Sequence, residues 1–141
     1  MLHRTLLPMA LAAALLAFAG CMSRAGAPQP DMHTSRNAVD WAGTYEGVLP
    51  CADCPGIQMR LVLQGDGRFD LSAQYLDRDA APRSSSGRFS WNAEGSAVTL
   101  DAAGAGQQFR VGEGRLLQMN RDGSAPPWSD TRRVLTKVAK P

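Results

Sequence analysis

Two cysteines three positions apart, Cys51 and Cys54, are the residues of this 141-residue chain whose chemistry stands out. Pro50 comes directly before the pair and Pro55 directly after it, so the backbone dihedral φ is restricted at the entry and at the exit. Gly56 then allows a backbone conformation that other residues avoid. Three kinds of chemistry suit such a pair: a structural disulfide, a soft-metal site built on two thiolates, and a thioredoxin-like redox centre.

The surroundings of the pair bear differently on these alternatives. A disulfide is favoured in an exported protein, because the periplasm is oxidising. Two thiolates suit Cu(I), which prefers sulfur ligands. Met59 could add a thioether, although its place in an alternating pattern favours the core, and Asp53 could hydrogen-bond to the ligands, although a solvated turn carboxylate is its other use. A thioredoxin-like centre needs its first cysteine at the N-terminus of a helix, whereas Pro55 follows this pair at once. A disulfide and a Cu(I) site exclude each other at any instant, and the sequence leaves both open.

Histidine is missing from the part of the sequence that has strand-like patterns. Both histidines, His3 and His33, precede that part, which excludes Ser-His-Asp and Cys-His catalysis and histidine-based metal sites there. Neither a phosphate-binding loop nor a nucleotide-binding motif occurs. The 15 Lys and Arg residues nearly balance the 13 Asp and Glu residues, whereas nucleic-acid binders usually concentrate basic charge. We therefore expect neither an enzyme nor a nucleic-acid-binding protein, and no required cofactor, with Cu(I) as the one candidate.

Residues 1–20 have the pattern of an export signal. A short basic start is followed by an uncharged run over residues 6–19, which is too short to span a bilayer as a helix. The run ends in small residues before Cys21, and this ending resembles the bacterial lipoprotein signal, whose cysteine is lipidated and becomes the first residue. We expect Cys21 to anchor the protein, because two or more acyl chains give stable membrane binding. Met22, where aspartate typically retains a lipoprotein at the inner membrane, favours the outer membrane.

The remainder divides into a tether and a domain. Residues 21–38, which begin with the cysteine expected to be lipidated, are rich in Ser, Ala, Pro and Gly without apolar periodicity, which predicts a flexible tether. We expect residues 39–141 to form one folded domain, a monomer, on the periplasmic side of the membrane.

Within this domain, apolar residues recur with a period of two, which is typical of β-strands. Gly65-Asp66-Gly67 predicts a hairpin turn, and residues 77–86 predict a polar loop. The predicted strands cover residues 43–49, 57–64, 69–75, 87–91, 98–100, 109–111, 116–119 and 131–138. Eight short antiparallel strands indicate an all-β fold, a meander that curls into a small barrel and so hides its edge strands. Such an interior is filled by side chains or holds one small ligand.

A longer pattern surrounds the cysteine pair and continues along the chain. Its first part is Trp41-x-Gly43-x-Tyr45-x-Gly47-x-Leu49-Pro50-Cys51-Ala52-Asp53-Cys54-x-Gly56-Ile57. Its second part is Leu61-x-Leu63-x-x-Asp66-Gly67-x-Phe69-x-Leu71-x-x-x-Tyr75, followed more loosely by Gly87-x-Phe89-x-Trp91, Val98-x-Leu100 and residues 116–123. The pattern resembles the N-terminal, copper-resistance-type domain of the NlpE family of envelope lipoproteins, above all in its Leu-Pro-Cys-x-x-Cys segment.

This resemblance implies a lipocalin-like β-barrel, outer-membrane anchorage, and links to copper homeostasis and copper resistance. It also implies signalling of envelope stress to a Cpx-type sensor kinase. The motif cysteines correspond to Cys51 and Cys54, and their redox- or metal-responsive role is implied by the resemblance and by thiol chemistry. The best-known members add a C-terminal OB-fold domain, and this chain ends at Pro141, so we do not expect a sensing role that needs that second domain.

Two other functions fit a small exported barrel. The first is carriage of a hydrophobic small molecule, as in lipocalins, with aromatic side chains lining a cavity, although core packing is the use we expect for them. The second is inhibition of another protein, as small periplasmic barrels inhibit lysozyme. Trp128, which follows two prolines, is expected to plug the barrel or to form a surface patch.

Overall fold

The computed structural model describes residues 34–138, which contain eight strands and three short helical turns. The strands are β1 Gly43–Leu49, β2 Ile57–Leu63, β3 Arg68–Tyr75, β4 Arg83–Trp91, β5 Ala97–Leu100, β6 Gln108–Gly112, β7 Arg115–Gln118 and β8 Val134–Val138. The helical turns are α1 Ser35–Ala38 and two 3₁₀ turns, Ala102–Gly104 and Thr131–Arg133.

The strands follow one another around a closed antiparallel barrel. Each strand pairs with the next one along the chain, and β8 closes the barrel by pairing with β1, where Thr44 lies opposite Val138 and Glu46 opposite Thr136. The predicted all-β, eight-stranded meander is therefore confirmed. Closure satisfies the backbone groups that an open sheet would leave at its first and last strands.

Period-two alternation places the apolar side chains inside the barrel. In β2, Met59, Leu61 and Leu63 are buried while Gln58 and Arg60 are exposed, as expected when successive side chains point to opposite faces. Aromatic side chains fill the interior. The fully buried aromatic residues are Tyr45, Phe69 and Phe109.

Two strands begin at positions that differ from the prediction. The fourth strand was expected from Gly87, but β4 starts at Arg83, because β3 pairs with it as far as the Ala73–Arg83 position. Backbone pairing does not require apolar side chains, so a run of serines can extend a strand without an apolar pattern. The eighth strand was expected from Thr131, but β8 starts at Val134, after a 3₁₀ turn in which the Arg133 amide donates to the Asp130 carbonyl.

Part of the predicted tether contacts the barrel. The Arg36 amide donates to the Gly95 carbonyl at 2.9 Å, and the Ser35 hydroxyl donates to the Val111 carbonyl at 2.8 Å. The predicted export signal, Cys21 and the rest of the tether lie outside the described residues. Across residues 34–138, no helix has the length and apolar character of a membrane span.

The connections between successive strands lie at the two ends of the barrel. The β1–β2, β3–β4, β5–β6 and β7–β8 connections lie at one end, here called the disulfide end, because they alternate with the other three along an up-and-down chain. The short β2–β3, β4–β5 and β6–β7 turns lie at the opposite end, which α1 also contacts through Gly95. The cysteine pair is therefore separated by the length of the barrel from the point where residue 34 meets the domain.

Candidate functional site

A disulfide joins Cys51 and Cys54 in the loop of residues 50–56, here called the disulfide loop. The Cα atoms of the two cysteines are 5.3 Å apart, and both side chains are half-buried. Of the alternatives that the sequence left open, the structure contains the disulfide. The loop lies between two strands rather than at the start of a helix. The pair therefore lacks the helix N-terminus on which a thioredoxin-like centre depends.

Two contacts hold the disulfide loop against the β3–β4 connection. The Leu76 amide donates to the Gly56 carbonyl at 3.0 Å. Arg78 donates from Nη1 to Asp53 Oδ1 at 3.0 Å, but both side chains are more than half exposed, so this ion pair contributes less than about 1 kcal/mol. Gly56 itself is buried, and an added Cβ would meet the Cγ1 atom of Val48. The tight packing at Gly56 and the Leu76–Gly56 hydrogen bond therefore hold the loop more than the Asp53–Arg78 ion pair does.

The sulfur atoms have polar neighbours. Cys51 Sγ lies 3.6 Å from Asp53 Oδ1, and Cys54 Sγ lies 3.3 Å from the Gly56 carbonyl oxygen. After reduction these two oxygens could accept hydrogen bonds from the thiols. The Asp53 carboxylate would repel a Cys51 thiolate, an effect that Arg78 offsets by pairing with Asp53.

The structure places the two predicted supporting residues very differently. Asp53 lies on the surface beside Cys51. Met59 is only 3% exposed and belongs to the hydrophobic core inside the barrel. Within residues 34–138, no three His, Cys, Asp or Glu side chains come together as a possible metal-binding group. A disulfide offers no thiolate, so the arrangement suits Cu(I) only after reduction, when two sulfur ligands become available in one exposed loop.

A cavity of about 280 Å³ opens at the disulfide end of the barrel. Apolar side chains of β2 and β3 form one wall, among them Ile57, which directly follows the disulfide loop. Side-chain amides form the other wall, contributed by Gln107, Gln108, Gln118 and Asn120. No sequence motif marks these amides, because they come from two segments, residues 107–108 and 118–120, that meet only when β6 pairs with β7.

Aromatic residues pack the interior and the opposite end. Tyr45 is fully buried and donates its hydroxyl hydrogen to the Trp41 carbonyl at 2.6 Å. Burial, with a smaller effect from the nearby Asp40 and Glu113 carboxylates, raises the pKa of Tyr45 to about 12. At the opposite end, aromatic rings meet edge to face, with centroids 5.3 to 6.5 Å apart. These rings are Trp41, Phe89 and Trp91. Core packing is thus the main role of the aromatic residues.

Comparison with known proteins identifies the family. The family model described as the NlpE N-terminal domain matches residues 45–127, a span that includes both motif cysteines. The chain belongs to the NlpE family. The predicted resemblance to this family is therefore confirmed for most of the folded domain.

Individual proteins of known sequence or structure are also similar to this chain. Lipoprotein NlpE of Escherichia coli strain K12 is 28% identical over 111 residues, which cover 78% of this chain and 47% of that protein. A Shewanella oneidensis protein classed as a lipoprotein has a crystal structure that matches with a TM-score of 0.67 and 42% identity, over 74% of this chain and 95% of that one. The crystal structure of the Cpx pathway activator NlpE from Escherichia coli matches with a TM-score of 0.49 and 30% identity, over 60% of this chain and 45% of that one. The chain thus spans about half the length of its Escherichia coli relative.

Proposed function

We propose that this NlpE-family protein is an outer-membrane lipoprotein that faces the periplasm and responds to envelope stress through its cysteine pair. The observation that carries the proposal is the Cys51–Cys54 disulfide, formed in a half-buried surface loop that oxidants, reductants and metal ions can reach. The barrel supplies a rigid support for this loop. Because the described residues show no other cysteine pair, redox or metal chemistry of this domain would be concentrated there.

The proposed anchor is a lipid on Cys21, after removal of the signal at residues 1–20. Residues 21–38 would link the anchor to the barrel, and residues 39–141 would form the periplasmic domain. Each CH₂ of a buried acyl chain contributes about 0.8 kcal/mol, so two or more chains hold a protein stably in a membrane. We expect labelled palmitate to enter the protein and Cys21→Ser to abolish the labelling. Labelling that persists in Cys21→Ser would overturn the anchor.

The proposed redox signal is a change in the disulfide loop. Breaking the bond would leave the Leu76–Gly56 hydrogen bond and the exposed Asp53–Arg78 ion pair as the contacts that hold the loop to the β3–β4 connection. The loop would then sample other conformations, while the barrel kept its register. A Cpx-type sensor kinase is the partner that the family resemblance implies for such a signal.

The proposed metal response uses the same sulfur atoms in their reduced state. Two thiolates are ligands that Cu(I) prefers, and the loop that carries them is exposed around Asp53. We expect the reduced protein to take up about one Cu(I) per chain under anaerobic conditions, measured against a competing chelator. Cys51→Ser/Cys54→Ser should abolish uptake. Met59→Leu is the matched control, because Met59 is buried in the core, and it should leave uptake unchanged.

Mass spectrometry of the protein purified from its native membrane is the most informative single measurement. It would report the lipid mass, the two-hydrogen difference between disulfide and thiols, and any bound metal together. A protein with neither lipid nor a redox-dependent mass change after exposure of the cells to reductant or copper would contradict the proposal.

A second candidate function, carriage of a small molecule, is supported by the cavity at the disulfide end. Side chains fill the barrel at the level of Tyr45, Phe69 and Phe109, and the cavity of about 280 Å³ is lined partly by amides. Its ligand would therefore be small and would need hydrogen-bonding groups as well as apolar surface. Organic extraction of the native protein followed by mass spectrometry would detect such a ligand.

A further inference from the structure

A second site lies on the outer face of the barrel, away from the disulfide loop. The connection between β7 and β8 folds back over β6 and β7 and places Trp128 above Gly112. An added Cβ at Gly112 would lie 2.8 Å from Trp128 Cη2, so the missing side chain at this position is what allows the ring to sit there. Leu117 points outward yet is fully buried, as expected beneath this covering segment.

Two arginines stack against the same indole ring. Arg115 Cζ lies 4.3 Å and Arg110 Cζ lies 5.2 Å from the Trp128 ring centroid. The strand register makes the arginines neighbours, because Arg115 is paired with Gly112, two positions along β6 from Arg110. We call Arg110, Arg115 and Trp128 the Arg–Trp patch.

The charge of the Arg–Trp patch is not neutralised by an ion pair. In the described part of the chain, neither guanidinium forms an ion pair with a carboxylate. The arginine ion pairs found there all involve other arginines. A guanidinium stacked on an aromatic ring is held in place, and its N–H donors remain suited to oxyanions. The phosphodiester of a phospholipid carries two non-bridging charged oxygens, so it can accept from two arginines. Glu113, in the turn between β6 and β7, is the nearby charge that opposes anion binding.

The position of the patch indicates where the phosphate comes from. The Ser35 hydroxyl donates to the Val111 carbonyl, directly beside Gly112, so the chain that leads back toward Cys21 meets the barrel next to the patch. If residues 22–33 form the tether that their composition predicts, they would span on the order of 20 Å. An anchor at Cys21 would therefore keep this face of the barrel within reach of the membrane surface, where tryptophan and arginine are both favoured.

From this juxtaposition we propose that the Arg–Trp patch docks the barrel onto the phosphate groups of the membrane to which it is tethered. The inference rests on the proposed lipid anchor. It would hold the disulfide loop, at the far end of the barrel, away from the lipid surface and open to the periplasm.

The test uses the full lipidated chain reconstituted into vesicles of phosphatidylethanolamine with or without phosphatidylglycerol. Brominated lipids quench tryptophans that touch the bilayer, and Trp128→Phe identifies the share that is due to Trp128. We expect quenching that is stronger with phosphatidylglycerol and is reduced by salt. Each arginine near an anionic surface favours binding roughly fivefold, so Arg110→Gln/Arg115→Gln should lower the ratio of docked to free barrels by roughly 25-fold.

The matched control is Arg60→Gln/Arg68→Gln, which removes the same charge from β2 and β3, whereas the patch lies on β6 and β7. Equal loss of quenching in the control, or unchanged quenching in Arg110→Gln/Arg115→Gln, would overturn the proposal. Binding of inorganic phosphate at the patch without any lipid quenching would also overturn it in favour of a soluble ligand. Failure of the chain to float with any vesicle would instead refute the proposed anchor, and the docking inference with it.

Discussion

Removing the disulfide should loosen its loop without unfolding the barrel. The bond closes a loop between residues only three apart, so the chain-entropy model limits its stabilisation to about 2 kcal/mol. The native loop has other supports that survive the change, notably the Leu76–Gly56 hydrogen bond and the pairing of Leu49 with Ile57. Cys51→Ser/Cys54→Ser should therefore lower the free energy of unfolding by about 1–2 kcal/mol.

Urea unfolding followed by tryptophan fluorescence measures this loss. For a domain of this size the midpoint should fall by roughly 1–2 M, with an unchanged slope. Wild-type protein in reductant should match the double variant, and the variant itself should not respond to reductant. A loss greater than about 4 kcal/mol, or a changed slope, would show that the barrel depends on the bond and would refute a local loop signal.

Three further predictions test the packing around the site. Tyr45→Phe should cost about 0.5–1.5 kcal/mol at neutral pH through its lost hydrogen bond. The pKa of Tyr45 is about 12 in the folded protein against an ordinary value of 10.0. The free energy of unfolding of the wild type should therefore fall by on the order of 2 kcal/mol from pH 10 to 12. The free energy of unfolding of Tyr45→Phe, measured across the same range, should not show that decline. Gly56→Ala should cost about 1–3 kcal/mol by pressing on Val48, and adding Val48→Ala should restore most of it, or the steric explanation is wrong. Phe109→Ala, which empties a fully buried site, should cost about 3–5 kcal/mol in thermal unfolding, and a smaller loss would indicate that the barrel collapses around the gap.

The sequence by itself determined the fold class and most strand positions. In β2, apolar residues alternate with polar ones, and a strand with one face in water and one face buried requires that pattern. Short turns rich in glycine then leave an antiparallel meander as the simplest arrangement. The cysteine pair and its flanking prolines also located the candidate site, because their chemistry depends on residues that are close in sequence.

The tertiary structure decided what depends on contacts between distant segments. The sequence left Cys51 and Cys54 between a disulfide and a metal site, and the folded loop contains the disulfide. Met59 could be a sulfur ligand or a core residue by sequence alone, and the register of β2 buries it in the barrel. The strand that starts at Arg83 exists because β3 offers it a partner, which serine side chains do not signal. Trp128 reaches Gly112 only because the chain folds back over the barrel wall, a contact for which no local pattern exists.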